Sequence, residues 1–365
     1  MARAIQLAEK GLYTTQPNPR VGCVIVSCDR QCVGEGFHQL AGEPHAEVYA
    51  LQQAADKAQG ATAYVTLEPC SHQGKTPPCA NALIEAGVAR VVCAMQDPNP
   101  LVSGEGIKKL QQAGIQVESG LLQAEAEALN PGFIKRMKTG QPYVRVKLAM
   151  SLDGRTAMAS GESKWITGEA ARADVQKLRA RSSVVLTGSG TVLADNPSMN
   201  VRVSGADLGI AVAPHQPLRA IVDSDLKVLP GSHIFQPTVD MAAQTVVFTH
   251  KNLSTEDLQA SGFNNIQLVN PGGTGKIDLA GVMQWLAEQQ ANEVHVEAGS
   301  ILCGALLDQG LVDELVIYMA AHIMGGAARG LFHLPKLNSM SERINLEIRE
   351  IRPIGKDWRI TAVPV

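Results

Sequence analysis

The sequence predicts two consecutive α/β domains, the first a three-layer sandwich with helices on both faces of a buried sheet, the second a mixed sheet with antiparallel strands at one edge. Three observations carry this. The chain has 365 residues, more than one hydrophobic core usually organises. Helical and strand periods alternate along residues 1 to 130, and the alternation resets around "GFIKRMKTGQPYVRVKLAM". The final strand-like runs alternate at period two, the pattern of antiparallel strands with one face exposed.

In order, "MARAIQLAEK" reads as an amphipathic helix stopped by Gly11. After the proline-rich "TTQPNPR", the runs "VGCVIVS" and "CVGEG" flank polar residues 29–31 and read as a hairpin. "EPHAEVYAL" opens a helix to about Ala58, Gly60 ends it, and "ATAYVTLE" is a buried strand. "CANALIEAG", "VARVVCAM", "GIKKLQQAG" and "IQVES" then alternate helix and strand. Gly140 and Pro142 punctuate the reset, which sets domains of 1–142 and 143–365. Beyond it the strands "SSVVLTG", "LRAIVDS", "QTVVFTH", "NEVHVEAG" and "VDELVIYMA" mix with the helices "GEAARADVQKLRA" and "LAGVMQWLAEQQ". "RINLEIREI" and "DWRITAVPV" supply the antiparallel edge.

Composition narrows the partners. Net charge is −3, and residues 1–142 hold 12 Lys and Arg against 13 Asp and Glu, which argues against a nucleic-acid surface. The seven cysteines are odd in number and scattered, unlike a disulfide framework, so a reducing, cytoplasmic setting is expected. Glu9 and Lys10 stand where a signal peptide needs apolar residues, and no run reaches bilayer-spanning length, so no membrane partner is expected.

A zinc ion that activates water needs three nitrogen or thiolate donors and one open position. His45 at a helix start, Cys70 after a strand and Cys79 behind Pro77 and Pro78 offer that set, and both thiols fall near a helix N-terminus, which favours thiolate. Glu47 is two residues past His45, about 200° around an ideal helix, so the two share no face. Off the helix end, however, both reach one site, with the carboxylate beside the water as a proton shuttle and not a ligand. A closed structural site would instead recruit His72 and leave Glu47 idle. Cys23, Cys93 and Cys303 read as buried thiols, Cys28 and Cys32 as incidental.

The H-x-E and P-C…C arrangement, His45-Ala46-Glu47 and Pro69-Cys70…Cys79, resembles the zinc-dependent nucleobase and nucleotide deaminases, in which the glutamate is the general acid/base. Their common form has two residues between the cysteines, whereas eight stand here. The longer spacing in "EPCSHQGKTPPC", with "PNPRVGCVIV" before it and "MQDPNP" after it, is similar to the bifunctional riboflavin-biosynthesis deaminase/reductase family. So are "KLAMSLDGRTA", "TGSGTVLADNP" and "VEAGSILCGALL" downstream, and the likeness spans nearly the whole chain.

The resemblance implies a cytidine-deaminase-like α/β/α domain holding Zn2+ and a dihydrofolate-reductase-like domain using NADPH. It implies hydrolytic deamination of 2,5-diamino-6-ribosylamino-4-pyrimidinone 5'-phosphate, then reduction of the ribosyl group of 5-amino-6-ribosylaminouracil 5'-phosphate to ribityl. The expected partners are these small pyrimidine ribosyl phosphates and further copies of the chain. Asn18 would contact substrate, the alternative being an ordinary Asn-Pro turn. Cofactor positions carried over are Ala149, Trp165, Thr191, Asp195, Ser224 and the run Gly299, Ser300, Ile301, Leu302, Cys303, Gly304, Ala305. Substrate positions are Ser163, Arg179, Met199, Arg202 and Glu297. Arginine forks suit a 5'-phosphate, although Arg179 could equally be a solvated helix residue.

Gly188 and Gly190, and Gly299 and Gly304, each follow a strand as a pyrophosphate site requires, but neither place has the G-x-G-x-x-G fingerprint of a dinucleotide fold. His295 and His322 read as structural, and the reductase half offers no evident general acid. Two rival readings are a tRNA-editing type of deaminase fused to an unrelated reductase-like domain, which should show a basic face, and a metal-stabilised binding protein without turnover.

Overall fold

Small residues decide how the first helices meet their sheet. The chain begins α1 (Ala2–Glu9), β1 (Gly22–Val26), β2 (Cys32–Phe37) and α2 (Ala46–Ala54). A Cβ on Gly34 would stand 2.1 Å from the Ala50 carbonyl oxygen, and one on Gly36 2.2 Å from that of Ala46, so α2 lies directly on β2. There follow β3 (Thr62–Val65), α3 (Cys79–Glu85), β4 (Arg90–Cys93), α4 (Glu105–Gln112), β5 (Gln116–Ser119), α5 (Gln123–Leu129) and α6 (Pro131–Thr139). The sheet order is β2-β1-β3-β4-β5, with β1 antiparallel to both neighbours and the others parallel.

Strand alternation then builds three layers. Cys23 and Ile25 pack with Ala46, Ala50, Ala80, Leu83 and Leu110 of α2, α3 and α4. Val24, pointing the other way, packs with Ala4 and Leu7 of α1. Residues 55–58 continue α2 only as a 3-10 turn, so the helix expected to reach Ala58 is regular to Ala54. The sequence reading gave no elements between residues 120 and 140. Helices α5 and α6 form there around Asn130, whose Oδ1 accepts from the Arg20 backbone N–H at 2.8 Å and whose Nδ2 donates to the Arg20 carbonyl at 2.9 Å.

The computed structural model describes residues 1–72, 77–100, 102–237, 245–263 and 266–365. It divides into two units, Met1–Gln141 and Pro142–Val365. The second unit runs β6 (Tyr143–Ser151), β7 (Arg155–Ala157), α7 (Glu169–Ala180), β8 (Val184–Gly188), α8 (Ser189–Asp195), α9 (Gly205–Leu208), β9 (Leu218–Val222), β10 (Thr245–Phe248), α10 (Thr255–Ala260) and β11 (Ile266–Val269). It ends with α11 (Leu279–Glu288), β12 (Glu293–Glu297), α12 (Ser300–Asp308), β13 (Glu314–Ala320), β14 (Arg329–Gly330), β15 (Leu346–Ile354) and β16 (Asp357–Pro364). Gln244, expected to begin a strand, lies outside the described residues.

Nine strands form its main sheet in the order β11-β10-β9-β8-β12-β6-β13-β16-β15. They are parallel from β11 through β13, then antiparallel through β16 and β15, the mixed sheet the sequence predicts. Helices α11 and α12 bury Val282, Leu286, Cys303 and Leu306 on one face against Val146, Leu186 and Val296. On the other face α7 packs Ala171, Val175 and Leu178 on Val316 and Tyr318. Among the described residues no helix is long and apolar enough to cross a membrane.

Candidate active sites

In the first unit, α2 and α3 present their N-terminal ends to one point. His45 is the N-cap of α2, with φ −77° and ψ 168°, so its ring projects off the helix end. Cys79 is the first residue of α3, behind Pro78, and Cys70 lies on the loop leaving β3. The His45 Nδ1 stands 3.3 Å from Cys79 Sγ and 3.5 Å from Cys70 Sγ, and the three donor atoms all lie within 4.8 Å of one another. His72 is exposed and stands outside this cluster.

The donor set fits zinc. One imidazole nitrogen and two sulfurs are the borderline-soft ligands it prefers, and three of them leave a fourth position open. The two thiols hydrogen-bond to each other, which draws Cys70 down to about 4 and drives Cys79 up. The pair thus gives up its first proton readily, while a second thiolate there needs a cation beside it.

Glu47 sits behind the ligands, 3% exposed, with a hydrogen bond to the Cys79 thiol and, among the described residues, no partner for Oε2. Burial, reinforced by the charge on Cys70, pushes its carboxyl up to about 7. An orphaned buried carboxylate oxygen at a metal-ligand cluster awaits a proton-bearing partner.

His38 was not singled out in the sequence, and the structure makes it the support of this site. It is buried, with Nε2 3.1 Å from Asn18 Nδ2 and Nδ1 3.1 Å from the carbonyl of Pro44, the residue before His45. Its ring meets that of His45 edge-on at 5.3 Å. Asn18 is therefore held at the site and not merely in a turn. A third histidine seven residues before His45, in "GFHQLAGEPH", was the available signal.

In the second unit, the expected cofactor positions gather along one edge. Thr191 and Asp195 lie on α8 after β8, Ser224 follows β9, Gly299 and Ser300 open α12 after β12, and Ala149 is near the end of β6. These four strands are neighbours in the sheet and parallel, so all the positions meet at their C-terminal ends, where open α/β sheets bind ligands. The residues fit a dinucleotide. No atom lies within 4 Å of where a Cβ on Gly190 or Gly299 would stand, and α12 has no side-chain cap, leaving its first amides for a pyrophosphate. Ile301 is exposed, but Cys303 is fully buried and a Cβ on Gly304 would meet the His333 carbonyl oxygen at 2.3 Å. Those two positions face the interior.

Lys164 Nζ reaches the Asp195 carbonyl at 3.1 Å, which ties the segment holding Ser163 and Trp165 to α8. Trp165 is 71% exposed and stacks at 4.5 Å on Arg172, beside a cavity of about 620 Å³ that His322, Lys356 and Asp357 also line.

Arg179, Met199, Arg202 and Glu297 come together. Arg179 gives Nε and Nη2 to the two Glu297 oxygens at 2.5 and 3.0 Å, and Nη1 to the Asn200 carbonyl at 3.0 Å. Met199 Sδ lies 3.6 Å from Nη2. Arg179 is thus a buried strut and not a solvated residue, and its fork is already engaged. Arg202 spends only Nη1, on Asn200 Oδ1 at 3.3 Å, and is the arginine with donors to spare. His295 is buried and neutral-leaning, 3.3 Å from Glu297 Oε1.

Sequence reasoning missed Lys147. It pairs in register with Glu297, and burial lowers its pKa, against the pull of Glu297 and with the push of Arg179. A lysine two residues after an arginine, inside an otherwise apolar parallel strand, was the signal.

Comparison with known proteins agrees with both halves. The family described as the cytidine and deoxycytidylate deaminase zinc-binding region matches residues 1–95, and the RibD C-terminal domain matches residues 142–360. The riboflavin biosynthesis protein RibD of Escherichia coli (strain K12) is 53% identical over 363 residues, covering 98% of this chain and 96% of that protein. RibD of Haemophilus influenzae is 49% identical, covering 100% and 96%. Among solved structures, Acinetobacter baumannii RibD superposes with a TM-score of 0.88 at 44% identity, covering 100% of this chain and 97% of that one. The diaminohydroxyphosphoribosylaminopyrimidine deaminase/5-amino-6-(5-phosphoribosylamino)uracil reductase of Thermotoga maritima does so at 0.85 and 33%, again covering 100% and 97%. Identity at this level along the full length of both partners establishes that the chain belongs to the RibD family of riboflavin biosynthesis proteins.

Proposed function

We propose that the first unit deaminates 2,5-diamino-6-ribosylamino-4-pyrimidinone 5'-phosphate and that the second reduces the ribosyl group of the product to ribityl with NADPH. The convergence of His45, Cys70 and Cys79 beside an unpartnered, buried Glu47 carries the reading, within a chain that belongs to this family from end to end. His45 Nδ1 and the two sulfurs would hold zinc, which when bound supplies a water acidic enough to act as nucleophile at neutral pH. Glu47 takes one proton of the attacking water through Oε2 and passes it to the ring nitrogen, then takes the second from the added hydroxyl and delivers it to the departing amine, so that ammonia leaves and the carbonyl forms. Asn18, steadied by His38, orients the substrate.

In the second unit the bound nicotinamide supplies the hydride. The glycine-lined starts of α8 and α12 bind the pyrophosphate, and Ser163 and Arg202 grip the substrate phosphate. Glu297, held by Arg179 and opposite Lys147 in the strand register, fixes the sugar. The chain also forms a homo-oligomer in this reading, through the last hairpin. Leu346, Ile348, Ile351 and Trp358 share one face by register, all are exposed, and β15 is an open edge. Its charges are paired within the strand, Glu347 with Arg349 and Glu350 with Arg352, so a second copy meets no net repulsion.

The deciding experiment is metal analysis of the purified protein together with separate assays of ammonia release and NADPH oxidation. One zinc per chain with both half-reactions present is the expected result, and a chelator should stop the first reaction alone. A chain that carries zinc yet releases no ammonia from the pyrimidine would leave the binding-protein alternative standing.

A further inference from the structure

The glutamate of "TLEPC" plays no part in the chemistry above, yet it is 5% exposed and accepts four backbone hydrogen bonds. Glu68 Oε2 accepts from the amides of Asp97 at 3.1 Å and Gly104 at 2.9 Å, and Oε1 from those of Gly106 at 2.8 Å and Ile107 at 3.2 Å. Its own amide donates to the Met95 carbonyl at 3.0 Å. One side chain therefore collects both ends of the loop carrying "DPNP" and the first turn of α4, a helix with no cap of its own. That turn rests against the next residue along: a Cβ on Gly106 would stand 2.0 Å from the Pro69 carbonyl oxygen.

Cys70 follows Pro69. On its far side it is fastened to α3, since Cys79 donates its amide to Cys70 Sγ at 3.3 Å and Ala80 donates to the Cys70 carbonyl at 3.1 Å. On the near side the Glu68 clamp, with its amide on the Met95 carbonyl, sets the direction in which the chain enters the cluster.

We infer that Glu68 is a positioning residue, whose carboxylate locks residues 97 and 104–107 onto Pro69 and so fixes the Cys70 sulfur at its distance from His45 and Cys79. The inference rests on the reading of those three side chains as zinc ligands. Groups that orient a metal ligand in this way commonly govern affinity by about 10- to 100-fold. Glutamine in place of Glu68 keeps one acceptor oxygen and turns an NH2 towards two N–H donors, so half of the clamp becomes repulsive.

The test is zinc affinity by chelator competition, on the full chain, for wild type, Glu68→Gln, Glu68→Asp and Gly106→Ala. Gly106→Ala disturbs the same joint while leaving the carboxylate in place. Glu68→Gln and Gly106→Ala should each bind zinc about 10- to 100-fold more weakly. Glu68→Asp, which keeps the charge on a shorter arm, should recover part of the loss. In Glu68→Gln the amides of residues 97, 104, 106 and 107 should exchange hydrogen faster, and with zinc saturating, kcat for ammonia release should fall with KM held. Zinc binding as tight as wild type in Glu68→Gln overturns the inference, as does weakened binding that appears only where the first unit has unfolded. A wild-type chain without zinc would instead bring down the ligand assignment beneath it.

Discussion

At Glu47, burial and an unpaired oxygen define a task that no surface carboxylate has. Replacing it by glutamine keeps the shape but removes the proton acceptor, and general acid–base groups typically contribute about 100- to 10,000-fold. Glu47→Gln should lower ammonia release by that order while zinc content and NADPH oxidation on the deaminated substrate persist; loss of the metal in this variant would contradict the shuttle role. Glu297 makes a different prediction. Burial opposes its charge, but the Arg179 guanidinium and the neighbouring His295 outweigh that and hold it well below the usual 4.5. A carboxyl depressed in the folded state stabilises above its unfolded pKa, and the contribution fades as pH falls below about 4.5. Glu297→Gln leaves Arg179 buried without its counter-charge, a change worth about 3–5 kcal/mol. Urea unfolding should show that loss at pH 7 and a shallower decline in acid than wild type; parallel acid limbs would exclude Glu297 as their source. His45, Cys70, Cys79 and Glu47 were legible because they sit in a distinctive string, whereas Arg179 came only from the family likeness. His38 and Lys147 were not, since one histidine or lysine has no meaning until folding shows what it faces.

At the scale of elements, periodicity located most strands because a sheet buried on both faces demands continuous apolar runs, while β7, β11 and β14, two to four residues each, are too short to show a period. Helices α5 and α6 escaped because distant residues order them: Asn130 against the backbone of Arg20, 110 residues away in sequence, the Arg20 guanidinium on the Leu129 carbonyl, and Ala126 and Ile134 in the cluster with Leu67 and Met95. The run "CVGEG" reads only as one arm of a hairpin, whereas Gly34 and Gly36 clear the path of α2 and so set where His45 emerges. The terminal hairpin carries the oligomer proposal. A lysine at position 351, in the centre of its exposed apolar face, should break self-association, because a charge buried there without a partner costs more than such an interface gains. Ile351→Lys should elute as a monomer in light-scattering chromatography at concentrations where wild type does not; an unchanged mass would move the interface elsewhere.

For the whole molecule, each unit has its own buried cores and its own sheet, and we propose that the two fold independently. Residues 143–365 alone should unfold cooperatively and still oxidise NADPH with the deaminated sugar phosphate, and a fragment without a thermal transition would refute that autonomy. The sequence by itself determined the two α/β domains, their order and the candidate zinc ligands with the glutamate proposed beside them, because local periodicity and short-range spacing are written in consecutive residues. Tertiary structure alone decided that Arg179 is spent on Glu297, that His38 braces the turn into His45 and that Glu68 gathers four distant amides. Those hydrogen bonds join residues 6 to 118 positions apart, and only close packing of the chain brings such partners together.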